Sequence, residues 1–282
     1  MSKIDILFNV YSDTPKNKDP DTNSPTLRKF HQILWSKDLP GGDYFHLDLT
    51  IPKLLHHKSS LGEFTFSSDS ICHTYSNTKS MKNIISKLPD KEIRSFFSSS
   101  STIGGYIIFP SNKIDNKMTI NGSRGLNKYI KDRFDLTLLC IKNYYDGEEN
   151  PLNEVLIRYR SFFKLFNNFK GYIDFFLLND LVNKDLSIKF FLPFNDFQDS
   201  PLPTSVDEYL IYKENVENFI KNRNSRITNE IKFLSKQNKV SIPFMVTKRM
   251  KIKLNELGYS NKEISNMTPS QSWELINKGK NK

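Results

Sequence analysis

Apolar residues recur along this chain at two spacings, and proline, glycine and serine punctuate the segments between them. IDILFNV (4–10) reads as an opening strand, followed by a polar, turn-rich loop from Ser12 to Ser24. Ser24 as N-cap and Pro25 at the first helical position then open a helix with Leu27, Phe30, Ile33 and Leu34 on one face. That helix stops before Leu39-Pro40-Gly41-Gly42, and short strands are expected at 44–49 and 63–67. Helices are predicted over 78–87 and 90–97, ahead of the serine run 98–101. Gly105–Phe109 reads as a strand ended by Pro110, and Asp115-Asn116 would turn it into a partner strand, 117–121.

A helix from about 125 to 145 would bury Leu126, Tyr129, Ile130, Leu136, Leu139 and Ile141, with Gly147 as its stop. Asn150 and Pro151 open another, in which Val155, Leu156, Tyr159, Phe162, Phe163 and Phe166 recur at helical spacing. Residues 172–182 are apolar nearly all round and read as buried; Ile188–Leu192 reads as a last strand. Ser205 with Glu208 is a capping box for a long helix toward residue 236. The strands do not alternate regularly with helices, so the body is assigned to the α+β class, a small mixed or antiparallel sheet packed with a helix-rich middle.

After Pro243 the pattern changes. Residues 247–256, a stop at Gly258, a Ser260/Glu263 box and a Thr268-Pro269-Ser270-Gln271 box predict a small three-helix unit. Met250, Leu254, Leu257, Ile264, Met267, Trp273 and Ile276 would fill its core. The expected domains are therefore a body, 1–235, and a module, 243–282. A unit this small is marginal alone and is expected to dock on the body or on a partner.

The net charge is +10, but residues 236–282 hold ten Lys and Arg against three acids, while 1–235 hold 31 against 28. The basic signal thus belongs to the tail, where nucleic-acid contact competes with a merely solvated surface. The sequence contains no alanine and is rich in Lys, Asn, Ile and Phe, as an AT-rich coding sequence would give. Cys72 and Cys140 have no metal or redox spacing and read as buried thiols. MSKIDILFNV lacks a signal-peptide pattern and no apolar run reaches membrane-span length, so no membrane contact and a cytoplasmic location are expected.

Several segments together resemble an uncharacterised bacterial domain-of-unknown-function family. They are SDTPKNKDPD (12–21), SPTLRKFHQILWSK (24–37), SSDSICHTY (67–75), TIGGYIIFP (102–110), TINGSRG (119–125), DRFDLTLLCI (132–141) and FKGYIDFFLLNDLV (169–182). The resemblance spans about residues 5–235 and implies no activity. The tail, including Leu257-Gly258-Tyr259, resembles a ubiquitin-associated-type helical module seen at the ends of phage and plasmid proteins.

Three groups of residues could carry chemistry. In the first, Thr102, Gly104 and Gly105 precede a glycine-rich Asn121-Gly122-Ser123-Arg124-Gly125 loop expected at a helix N-terminus. Free amides, Ser123 and a bidentate Arg124 could hold a phosphate oxygen there, with Asn121, Asp132, Arg133 and Asp135 nearby. The competing reading is a tight connection in which Arg124 pairs with a carboxylate. In the second, Asp69 and His73 lie four apart and would share a helical face as an acid–base pair. In the third, Asp13, Asp19 and Asp21, with His46 and Asp48, lack the EF-hand register and sit among lysines, so no metal site is expected. His56-His57 is expected at the surface. The leading expectation is a phosphate-bearing ligand, a nucleotide or nucleic acid, at 102–135, with no cofactor. The alternative is a non-catalytic interaction protein of a mobile element or defence locus, binding a protein partner through 243–282.

Overall fold

The computed structural model describes residues 4–59, 62–240, 246, 248–268, 271–272, 275–276 and 279. The chain divides into two compact units, Ser2–Glu230 and Ile231–Lys282. The first unit is α+β. Its first helices, α1 (Pro20–Asn23) and α2 (Pro25–Trp35), begin at caps: the Asp19 side chain accepts from Asp21 N, and Ser24 accepts from Leu27 N. Proline at the first helical position forfeits no intrahelical bond.

Two antiparallel sheets follow. The smaller pairs β1 (Lys37–Asp38) with β2 (Tyr44–Phe45). The larger has the order β3–β4–β5, from β3 (Leu55–Ser59), β4 (Gly62–Ser70) and, after α3 (Lys82–Ile85) and α4 (Asp90–Ser100), β5 (Tyr106–Pro110). Strand β4 is central and alternates. Phe64, Phe66 and Ser68 are buried on one face, so Thr65, Ser67 and Asp69 point to the other. All five residues of β5 are buried, which is why its sequence is a continuous apolar run.

The helix-rich middle comprises α5 (Ile120–Leu126), α6 (Phe134–Asp146), α7 (Asn153–Arg158), α8 (Arg160–Lys164) and α9 (Phe169–Phe175). It brings Phe162, Phe175 and Phe176 onto Trp35, Phe45, Phe64 and Phe66, with Phe166 and Tyr172 packed against Phe176, as an aromatic core of edge-to-face and tilted pairs. The long α10 (Val206–Val240) opens with Ser205 accepting from Glu208 N, while the Glu208 carboxylate accepts from Thr204 N. In the second unit, α11 (Lys248–Glu256) ends near Gly258, whose φ is +84°, and α12 (Asn261–Ser265) carries the complete Ser260/Glu263 box. Thr268 and Gln271 also bond reciprocally. Met250, Leu254 and Ile264 are buried there; Trp273 lies outside the described residues.

Several expected elements are replaced, each for a local reason. Residues 4–10 make turns, with Asp5 accepting from Leu7 N and Phe8 N, and leave Leu7 80% exposed. The turn at Asp115-Asn116 forms, with φ +52° and +54°, but leads into α5 because Thr119 caps that helix. The expected helix over 78–87 shrinks to a single-turn 3-10 segment and α3. Helix 125–145 begins only at Phe134, after a turn in which Lys131 and Asp132 take positive φ. Residues 188–192 form one isolated bridge, Ile188 to Val182, and their backbone is claimed elsewhere. Finally, His57 is buried in β3, donating from Nδ1 to His46 O at 2.8 Å and stacking on Phe45 at 4.3 Å.

Candidate functional site

The polar face of β4 meets α5. Asn121 and Arg124 are three apart on α5 and so share a face. Asn121 Nδ2 reaches Ser67 Oγ and Ser68 O, each at 3.4 Å, and Arg124 Nη1 donates to Asp69 Oδ2. The positive-φ turn at Lys131-Asp132, pinned by the Tyr75 hydroxyl donating to Lys131 O at 3.0 Å, returns Asp132 to the same guanidinium. Asp132 Oδ1 lies 3.1 Å from Arg124 Nη2, and Asp132 Oδ2 lies 2.7 Å from His73 Nε2. Arg124 Nε donates to Thr137 Oγ1 at 2.9 Å, with the guanidinium between the Phe109 and Phe134 rings.

The result is one chain of charge, Asp69–Arg124–Asp132–His73, graded in exposure. The Arg124 side chain is fully buried; Asp69 and Asp132 are 15% and 20% exposed, and His73 is 40% exposed. Burial pushes the Asp69 carboxyl up to about 6 against the opposing pull of Arg124, with Asp132 adding to the rise. At Asp132 burial is outweighed by Arg124 and by the His73 hydrogen bond, so its carboxyl stays below the usual range. His73 is the mirror case: burial opposes its charge, and Asp132 overcomes that and raises its pKa.

Asp21 of α1 borders this chain. Its Oδ1 is buried with no hydrogen-bond partner, and burial together with Asp69 and Asp19 pushes its carboxyl up to about 8. Buried acceptors without donors are uncommon in folded proteins.

The sequence-expected residues divide sharply. Asp69, His73, Asn121 and Arg124 converge. Asp69 and His73 do so through Asp132 and Arg124, since Asp69 lies in β4 and His73 in the irregular segment after it. Ser123 is a helical residue whose N–H bonds to Thr119 O, and Gly122 N–H goes to Thr119 Oγ1, so the expected free amides are spent within α5. Thr102, Gly104 and Gly105 lie where α4, β5 and α10 pack. Thr102 Oγ1 accepts from Asn224 Nδ2 at 3.1 Å, and a Cβ at Gly104 would sit 2.5 Å from Asn224 Oδ1. Arg133 and Asp135 form a separate, fully buried pair that binds Leu192 O, Pro201 O and Phe191 N. Asp13 caps α2 and Asp48 pairs with His56, so the acidic third group is dispersed. Among the described residues no group of three or more His, Cys, Asp or Glu could hold a metal ion, and no helix is long and apolar enough to cross a membrane.

Sequence reasoning set Asp132 only near the loop and Asp21 only in the dispersed acidic third group, and joined neither to Arg124. Asp132 stands in an Arg–Gly–x₆–Asp–Arg run, whereas nothing in the sequence ties Asp21 to Asp69, 48 residues away.

The family model for DUF6994, described as a family of unknown function, matches residues 4–227. The chain belongs to that family. It has no match among curated proteins or solved structures. All the residues of the network fall inside the matched region, and the tail falls outside it.

Proposed function

We propose that the first unit binds a small polar molecule at the Asp69–Arg124–Asp132–His73 network and that His73 exchanges a proton with it. One observation carries this reading: the partly exposed imidazole, held at 2.7 Å by a largely buried carboxylate that fixes its orientation. An imidazole oriented in this way is suited to general acid–base work, and Asp69, titrating near 6, is a second group poised to share a proton. A phosphate at Arg124, the expectation from the glycine-rich segment, is less well supported. Two carboxylates and Thr137 already occupy the guanidinium, and further negative charge would meet Asp69 and Asp132.

The test follows the His73 ring signals by NMR while the full chain is titrated with a panel of polar metabolites. Binding compounds are expected to shift His73 and to bind more weakly to His73→Gln, read from the ligand's own signals, with the fold of that variant unchanged by circular dichroism. A panel that leaves His73 untouched overturns the reading.

A further inference from the structure

We infer that Tyr75 is a positioning residue for His73: it holds Asp132 against one nitrogen of the imidazole and so leaves the other, Nδ1, as the atom that exchanges a proton. This rests on His73 being the group that exchanges a proton with a ligand. Three residues of the site take backbone conformations that only glycine adopts freely, Tyr75 at φ +55°, Lys131 at +42° and Asp132 at +63°. They meet at one hydrogen bond, from the Tyr75 hydroxyl to Lys131 O at 3.0 Å. Backbone of this kind persists only where its surroundings over-determine it, and it gathers at functional sites. Here those surroundings are specific. The Tyr209 hydroxyl of α10 donates to Thr74 O at 2.7 Å, and the Tyr212 hydroxyl donates to His73 O at 2.9 Å. Tyr209 and Tyr212 are three apart on the helix and share a face. They fix the chain on the His73 side, Tyr75 ties it to the turn that presents Asp132, and Arg124 Nη2 sits 3.1 Å from the far carboxylate oxygen.

The consequence is chemical. Asp132 Oδ2 lies 2.7 Å from His73 Nε2. A carboxylate that close calls for a proton on Nε2, so the neutral imidazole keeps Nδ1 as its acceptor. Nδ1 has no hydrogen-bond partner among the described residues, and the side chain is 40% exposed. The Tyr75 ring stacks on the imidazole, 5.7 Å between centroids and 27° between planes, and so resists a flip that would exchange the two nitrogens. Burial and Arg124 of α5 oppose the charged imidazole, while Asp132 and, less strongly, Asp69 of β4 favour it. A turn that no longer presents Asp132 therefore reaches His73 as a lower proton affinity.

The experiment is heteronuclear NMR of the histidine rings in the full chain, which reads the protonation of each ring nitrogen separately as pH is varied. In the wild type the neutral His73 ring is expected to carry its proton on Nε2. Tyr75→Phe keeps the ring and loses the hydroxyl. There the His73 pKa should fall by at least about half a unit, roughly a threefold loss of proton affinity, and the form protonated on Nδ1 should become populated. The signals of His31 and His57 should stay in place, which a general loosening of the fold would not allow. Should Tyr75→Phe fail to fold, Asp132→Asn decides, because Tyr75 acts on His73 through that carboxylate; it should lower the pKa at least as far. A wild-type neutral ring protonated on Nδ1 overturns the inference whatever the variants do. So does a Tyr75→Phe protein whose His73 pKa and tautomer match the wild type. The panel of polar metabolites decides proton exchange separately, since Tyr75 is in place in the wild type. A His73 that answers to ligands yet is indifferent to Tyr75→Phe sinks only the role of Tyr75.

Discussion

Asp21 departs far from the ordinary behaviour of a carboxyl in water. Its carboxyl ordinarily loses its proton near 3.8, but in the folded chain it does so only at about 8. Between those values the unfolded chain has released the proton while the folded chain still holds it. The folded state therefore binds more protons there, and stability falls as pH rises through that window. Asp21→Asn has no proton to lose. It should match or slightly trail the wild type near pH 4 and exceed it by pH 8, by on the order of 2 kcal/mol after allowing for partial solvation. Urea unfolding at pH 4, 6 and 8 measures the gap; a constant gap across pH would mean that Asp21 titrates normally. Nearby His31 shows the opposite response to burial. With Trp35 Nε1 donating to its Nδ1 at 3.0 Å, it remains neutral, its pKa pushed down to about 3 by burial and Arg223.

At the scale of elements, the joints are tighter than the elements they connect. A Cβ on Gly105 would lie 2.2 Å from Ser100 O, a backbone atom that cannot swing aside, so Gly105→Ala must push α4 away from β5. A loss of at least about 2 kcal/mol in chemical denaturation is expected, in the range of core overpacking. The Arg133–Asp135 pair is another joint, clamping 191–201 onto the start of α6. Asp135→Ala leaves a buried guanidinium without its anion and should cost about 3–5 kcal/mol. An Asp135→Ala protein as stable as the wild type would show that the carbonyls of Leu192 and Pro201 alone suffice. Such joints explain what could be read in advance. Helices α2, α10 and α12 were legible because Ser24, Ser205 and Ser260 act within a few residues of the amides they cap. The strand expected at 188–192 was not, because its backbone is claimed by Asp135, some 56 residues away. Arg124 was legible as a special residue but not as a buried one. Its partners Asp69 and Asp132 arrive from β4 and from a turn whose positive φ values nothing local requires.

At the scale of the whole molecule, charge and chemistry are carried by different parts of the chain. The network lies in the near-neutral 1–235 segment, whereas 236–282 carries ten of the 41 basic residues and only three of the 31 acidic ones. Polyanion contact, if the protein makes it, therefore belongs to the tail, and we propose that the two activities separate. A chain ending at Ser235 keeps every residue of the network and all of the aromatic core. It is expected to unfold cooperatively, with a melting temperature within a few degrees of the full chain. It should also elute from heparin at clearly lower salt, because the salt slope of polyanion binding falls by about 0.7–0.9 for every anionic group the protein no longer neutralises. His73 signals should shift with the same small molecules in both chains. Heparin retention unchanged by the truncation would move polyanion binding to the first unit and revive a phosphate site there. Loss of the His73 response would instead make 236–282 part of the ligand site, and the separation proposed here would be wrong.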